Sequence, residues 1–281
     1  MNISEGKSRF TNKANVYHDA RPTYPIEVAK EMLREISINT NANACDKIAH
    51  AMKQMRKPAE PPVVVEFGAG TGKLTELFLG QGAIVYAVEP NDDMRNQLAF
   101  VHGHNPRLHI INATAEESML PENFADLVVV AHAFHWFDEE KCQKEFSRIL
   151  KQGGKVGLVW NWYADTLAMR EYNYLVHNEC AIQDFLSVRG KITTQYLDSF
   201  FEQYQSSVYK NNISFDFNRA IKLAASTHCT PIKGEPGYGA MVAKLRHWFS
   251  KHQQNGLVKF SYDTTLYHGT LERVLARQHI R

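Results

Sequence analysis

The chain has few cysteines: Cys45, Cys142, Cys180 and Cys229 stand far apart. That spacing offers no CxxC pair for a zinc site and no disulfide framework, and it predicts reduced thiols in a cytoplasmic protein. An excess of one charge sign is also missing, with 32 Lys and Arg against 30 Asp and Glu. Without a basic tail or stripe to follow a phosphate backbone, the sequence argues against a nucleic-acid partner. The first ten residues lack the apolar core of a signal peptide, and no run is long enough to span a bilayer, so no membrane partner is expected. His102-Gly103-His104 has no third ligand nearby, so the pair is read as surface histidines and no metal is expected. What remains is 281 residues, 44% apolar and 22% charged, enough for a full hydrophobic core.

Strands and helices alternate through the middle of the chain. Apolar runs predict strands at 63–67, 84–89, 108–112, 125–131 and 155–160, with helices at 73–79, 94–100 and 138–150. The fourth run is almost wholly apolar, as a strand covered on both faces should be. Gly153-Gly154 predicts the turn into the fifth strand. This rhythm means an α/β fold with a mostly parallel sheet. Before it, Tyr17-His18-Asp19-Ala20-Arg21-Pro22-Thr23-Tyr24-Pro25 reads as a shaped loop leading into a helix at 26–36. Residues 37–62 read as an insertion. After Asn161, helices are expected at 166–185, 194–201, 218–225 and 240–253, a strand at 208–217, and a closing edge strand at 257–267. The organisation is therefore a cap helix and insertion at 1–62, a cofactor core at 63–160, and lid helices with sheet-completing strands at 161–281.

The informative segment is Glu66-Phe67-Gly68-Ala69-Gly70-Thr71-Gly72, answered by a second strand that ends on Glu89. Three glycines let the backbone turn tightly and approach a ligand. Glu89 is placed to accept both hydroxyls of a ribose. A P-loop is excluded, because Phe67 stands where its first glycine belongs and Leu74 replaces its hydroxyl. The dinucleotide fingerprint fails as well, since its third glycine falls on Lys73. Glu66 would repel a pyrophosphate yet suits the amino group of a methionine moiety. The residues thus point to an adenosine-type cofactor without phosphates, S-adenosylmethionine.

This glycine loop, with Glu89-Pro90 and Asn91-Asp92-Asp93-Met94, resembles the class I S-adenosylmethionine-dependent methyltransferases. Thr114-Ala115-Glu116 is similar to that family's segment after the third strand. Ala131-His132-Ala133-Phe134-His135-Trp136-Phe137-Asp138, together with Tyr17–Pro25, is similar to a small-molecule branch related to trans-aconitate methyltransferase. Ser226-Thr227, Gly234–Tyr238 and Tyr262–Gly269 look like C-terminal features of the same branch. His132 and the insertion depart from the pattern. The resemblance implies a Rossmann-like seven-stranded mixed sheet with helical cap elements. It also implies methyl transfer to a small molecule, a carboxylate among the candidates.

Gly68, Ala69, Gly70 and Gly72 would form the cofactor turn, and Glu66, Glu89 and Pro90 would stand at the strand ends beside it. Met94 is placed for an adenine contact or for the core. Thr114, Ala115 and Glu116 would meet the adenine edge, and Ala131 would end the fourth strand at the site. Tyr17 would close over the ligand, and Arg21 would pair with a cofactor or substrate carboxylate or tie down its own loop. His132 and His135 fall where the transferred methyl should lie, as candidate catalytic bases or as packing residues. Trp136, Trp160 and Trp162 would wall the acceptor space, with core packing the alternative for Trp160. Two other readings stay open: an RNA or protein methyltransferase, and a cofactor-binding module without turnover.

Overall fold

A computed structural model of the chain describes residues 13–39, 60–177, 192–227 and 229–271. Most of the expected insertion, and the expected helix beyond residue 177, lie outside the described residues. In chain order the elements are α1 (Ala14–Ala20), α2 (Ile26–Asn39), β1 (Val63–Phe67), α3 (Thr75–Gly80), β2 (Ile84–Val88), α4 (Asp92–His102), β3 (Leu108–Ile111), β4 (Ala125–Ala131), α5 (Glu139–Ile149), β5 (Leu150–Tyr163), α6 (Leu167–His177), α7 (Thr194–Phe200), β6 (Phe201–Phe215), α8 (Phe217–Ala225), α9 (Tyr238–His252) and β7 (Val258–Leu271). The strands form a single seven-stranded sheet in the order β3-β2-β1-β4-β5-β7-β6. The first five run parallel, and β7 joins antiparallel to both β5 and β6. This is the mixed sheet the sequence implied.

Alternation along the strands divides the core between two helix layers. Val65, Phe67, Leu158 and Trp160 face α5 and α7, packing with Phe146 and Phe200. Val64, Val129 and Val159 face the other way, onto Met32 of α2 and Phe78 of α3. The distal part of the sheet carries its own cluster, in which Phe260 packs with Tyr172 of α6 and Trp248 of α9. Helix starts follow the side chains that accept the first free N–H groups: Asn91 for α4, Asp138 for α5, Thr193 for α7 and Asp216 for α8.

Four sequence expectations change. Tyr17–Ala20, expected as part of a loop, are helical and end α1, because the chain breaks only at Arg21-Pro22. Residues 257–267 were expected as an edge strand, but β7 is interior, inserted between β5 and β6. The edge is β6, longer than expected at 15 residues. Gly153-Gly154 does not turn α5 into a strand, since β5 begins directly at Leu150. The two glycines sit where the β4–β5 register slips, Ala125 facing Leu150 while Leu127 faces Lys155. Cys142 is free and buried, but Cys229 is disulfide-bonded, so the expectation of four reduced thiols fails there.

Candidate functional site

The order of the strands creates the site. β1 is joined to β2 on one side and paired with β4 on the other, so the chain turns outward in opposite directions from neighbouring strands. A crevice opens at their carboxyl ends, where α/β sheets bind ligands. Into it project the glycine loop after β1, Glu89 after β2, and Ala131 and His132 at the end of β4. The cleft encloses about 820 Å³, including its opening to solvent. Of the expected residues, Tyr17, Gly68, Gly70, Glu89, Pro90, Met94, Thr114, Ala115, Glu116, Ala131, His132 and Trp136 line it. Sequence reasoning missed Asn91, Ala133 and Phe137 on the same wall.

Glu89 is the anchor of the site. It is only 7% exposed. One carboxylate oxygen accepts the Gly70 N–H at 2.8 Å and the other accepts the Asn91 N–H at 2.9 Å. Asn91 in turn caps α4 by accepting the Met94 N–H, which fixes Met94 in the wall. The Asn-Asp-Asp run after a strand-end acid is an N-cap signal that could have marked Asn91. Glu116 accepts the Asp138 N–H at 3.0 Å and so ties the segment after β3 to the start of α5.

The glycine loop is shaped by two different needs. Gly68 has φ +65, and a Cβ there would lie 2.5 Å from the Ala133 Cβ, so the loop touches the segment after β4. Gly70 also has positive φ, yet a Cβ there would meet nothing within 4 Å. Its backbone thus faces open cleft, where a ligand can come within contact of the main chain. The residues fit an adenosyl sulfonium ligand: an anchored carboxylate for a ribose, an apolar Met94–Ala115 wall for a base, and no buried cation on the lining.

Seven expected residues stand off the cleft lining. Ala69 and Gly72 belong to the turn itself, and Gly72 packs against Leu98 and His102. His102, expected at the surface, is therefore half-buried. Glu66 points to the α3 side, because strand alternation sends it away from Phe67, and accepts a 2.5 Å hydrogen bond from Thr75. Burial, reinforced by Glu89, pushes its pKa up to about 8. Arg21 donates to the Ser226 hydroxyl at 2.9 Å and more weakly to Thr227, and it lies over the Tyr17 ring. His135 packs on the Trp136 ring at 4.8 Å. Trp160 is core, stacked on Trp162 at 6.2 Å. Trp162 meets His132 edge-on at 6.0 Å, so it supports the cleft wall from behind.

His132 follows β4 in a left-handed conformation, φ +52. This folds its ring back so that Nε2 accepts the Asn161 N–H at 2.7 Å. Burial, with a smaller contribution from the Arg21 charge, pushes its pKa down to about 4. Among the described residues, no group of three or more His, Cys, Asp or Glu is placed to hold a metal ion, and no helix is long and apolar enough to cross a membrane.

Comparison with known proteins places this geometry. The methyltransferase domain family matches residues 65–158, from β1 into β5. An uncharacterized methyltransferase of Mycobacterium tuberculosis is 34% identical over 152 residues, covering 54% of this chain and 51% of the relative. One from Bacillus cytotoxicus is 32% identical over 160 residues, covering 56% of this chain and 71% of the relative. The chain spans about half the length of the mycobacterial and fission-yeast relatives it matches. In fold, it superposes with a TM-score of 0.56 on a structure from Anaeromyxobacter dehalogenans provisionally described as a type II methyltransferase, at 16% identity and covering 89% and 97% of the two chains. The family match spans the glycine loop, Glu89 and the end of β4, and with the Bacillus relative it shows that the chain belongs to the class I S-adenosylmethionine-dependent methyltransferases.

Proposed function

We propose that the protein transfers a methyl group from S-adenosylmethionine to an oxygen of a small, partly apolar molecule, with a carboxylate as the acceptor class. The observation that carries the cofactor half is Glu89, buried at the end of β2 and held by the N–H groups of Gly70 and Asn91. A carboxylate fixed by two main-chain donors keeps its position without reorganising when a ligand arrives. When bound, S-adenosylmethionine supplies a sulfonium-activated methyl, which an oxygen nucleophile takes as the C–S bond breaks and its electron pair stays on sulfur.

The chain's own contribution is alignment and exclusion of water. Tyr17, carried on α1, covers the cleft, and Trp136 and Phe137 line its acceptor side. A carboxylate is ionised at neutral pH, so it needs no general base. That agrees with a His132 whose pKa lies near 4, since such a ring is too weakly basic to take a proton from an alcohol or ammonium at pH 7. The half-buried Arg21 guanidinium on the capping loop adds favourable potential for an anionic acceptor. The resemblance of 17–25 and 131–138 to the trans-aconitate methyltransferase branch supports the same class.

The test is transfer of labelled methyl from S-adenosylmethionine to matched panels of small carboxylic acids, amines, phenols, RNA and protein. Label released as methanol on mild alkaline treatment of the carboxylic-acid product is expected, because carboxyl methyl esters hydrolyse there. Stable label on RNA, protein or amines would contradict the proposal.

A further inference from the structure

His132 lines the cleft where the acceptor should lie, and its hydrogen bonds determine which of its nitrogens carries the proton. The main-chain N–H of Asn161 points at Nε2 from 2.7 Å, and the peptide plane fixes the direction of that hydrogen. The Asn161 carbonyl oxygen lies farther, at 3.0 Å from the same nitrogen. A proton on Nε2 would face the Asn161 hydrogen and strand a buried main-chain donor, which costs more than losing the longer contact. Nε2 therefore presents its lone pair, and in the neutral ring the proton sits on Nδ1.

Asn161 is itself immobilised. Its backbone is paired with Thr264 of β7, its side-chain oxygen accepts the Thr264 hydroxyl, and its amide reaches the Thr23 carbonyl at 3.4 Å. The imidazole lies between the rings of Tyr24, at 6.5 Å, and Trp162, at 6.0 Å. Asn161 occupies Nε2, and His132 is partly exposed and lines the cleft. Arg21 is the charged group that acts on the ring, and it opposes a second positive charge.

We propose that His132 is a specificity residue, locked as the neutral Nδ1–H tautomer and donating that hydrogen to a lone pair on the methyl acceptor. The fixed donor selects an acceptor with an oxygen lone pair beside the reacting atom and disfavours an ammonium, whose hydrogens would oppose it. The ring also brings no positive charge to a site that must accommodate a sulfonium. The nature of the bound partner rests on the methyl-transfer reading, whereas the tautomer does not.

The experiment is long-range proton–nitrogen NMR of the uniformly nitrogen-15-labelled full chain, with His132→Asn used only to assign the ring. The expected result is a protonated Nδ1 and an unprotonated Nε2, unchanged from about pH 5.5 to pH 8.5. A proton on Nε2, or titration to imidazolium near the ordinary histidine midpoint, would overturn the proposal. Hexanoate and hexylamine, which share a tail and differ in head group, are then added to the complex with S-adenosylhomocysteine. Hexanoate is expected to shift the His132 Nδ1 resonance and hexylamine to leave it; the reverse, or no response to hexanoate at millimolar concentration, would contradict the recognition role. Failure to bind S-adenosylhomocysteine at all would count against the methyltransferase reading alone, because the tautomer is read on the free protein.

Discussion

At the scale of single residues, two ionisable groups near the glycine loop are kept neutral by burial. The carboxyl of Glu66 is 1% exposed, and its pKa is raised to about 8. Between about pH 4.5 and pH 8 the unfolded chain releases this proton while the folded chain keeps it, so the group lowers stability as pH rises through that window. Glu66→Gln keeps the contact to Thr75 and removes the titration. The variant should be more stable than the parent at pH 8.5, by on the order of a few kcal/mol, with the advantage vanishing near pH 4.5. Thermal melts at the two pH values check this, and an equal change at both would contradict it. The glycine turn, Glu89 and Met94 were legible because glycine spacing and a strand-end acid are local signals. The neutrality of His132 was not, because it depends on burial and on the Arg21 charge, which only the folded chain brings together. Core packing was legible for Trp160 only as an alternative to walling the site, and for Trp162 not at all, since their facing is settled by the register of β5 against β7.

At the scale of elements, α1 is held over the cleft by the far end of the chain. The buried Lys13 ammonium donates to the carbonyls of Thr227 and Thr230, both at 2.8 Å. Arg21 holds Ser226, and Lys222 of α8 pairs with Asp19. The helix that carries Tyr17 is thus docked on the segment following α8. Lys13→Met leaves two carbonyls without their donor and should cost roughly 2–4 kcal/mol. Hydrogen exchange should show protection lost at residues 14–20 and at 226–230 together, with β1 to β4 unchanged. Loss confined to α1 would contradict the docking. No sequence signal marked this contact: the two segments are separated by more than 200 positions, and Lys13 looks like any surface lysine. The helices after Asn91, Asp138 and Asp216 were legible to within two residues of their starts, whereas β6 was half missed. Its burial alternates on a polar background, so only the apolar end from Val208 read as a strand.

At the scale of the whole molecule, the parallel half of the sheet was legible from the rhythm of apolar runs and the antiparallel half was not. Apolar alternation in 257–267 showed a strand, but not that it enters between β5 and β6 instead of closing the edge. That insertion matters to function, because β7 brings Thr264 against Asn161, and Asn161 fixes His132 on the cleft wall. On the proposed reading the distant strand supports the acceptor side, while the glycine loop and Glu89 would build the cofactor side from adjacent parallel strands. The account depends first on the cofactor side. The most direct test is calorimetric titration of the full chain with S-adenosylmethionine and S-adenosylhomocysteine, beside Glu89→Ala checked for folding by its thermal transition. Micromolar binding by the parent, weakened at least about tenfold in the folded variant by loss of a charged hydrogen-bond acceptor, is the expected result. No binding by the folded parent, or equal binding by Glu89→Ala, would contradict it.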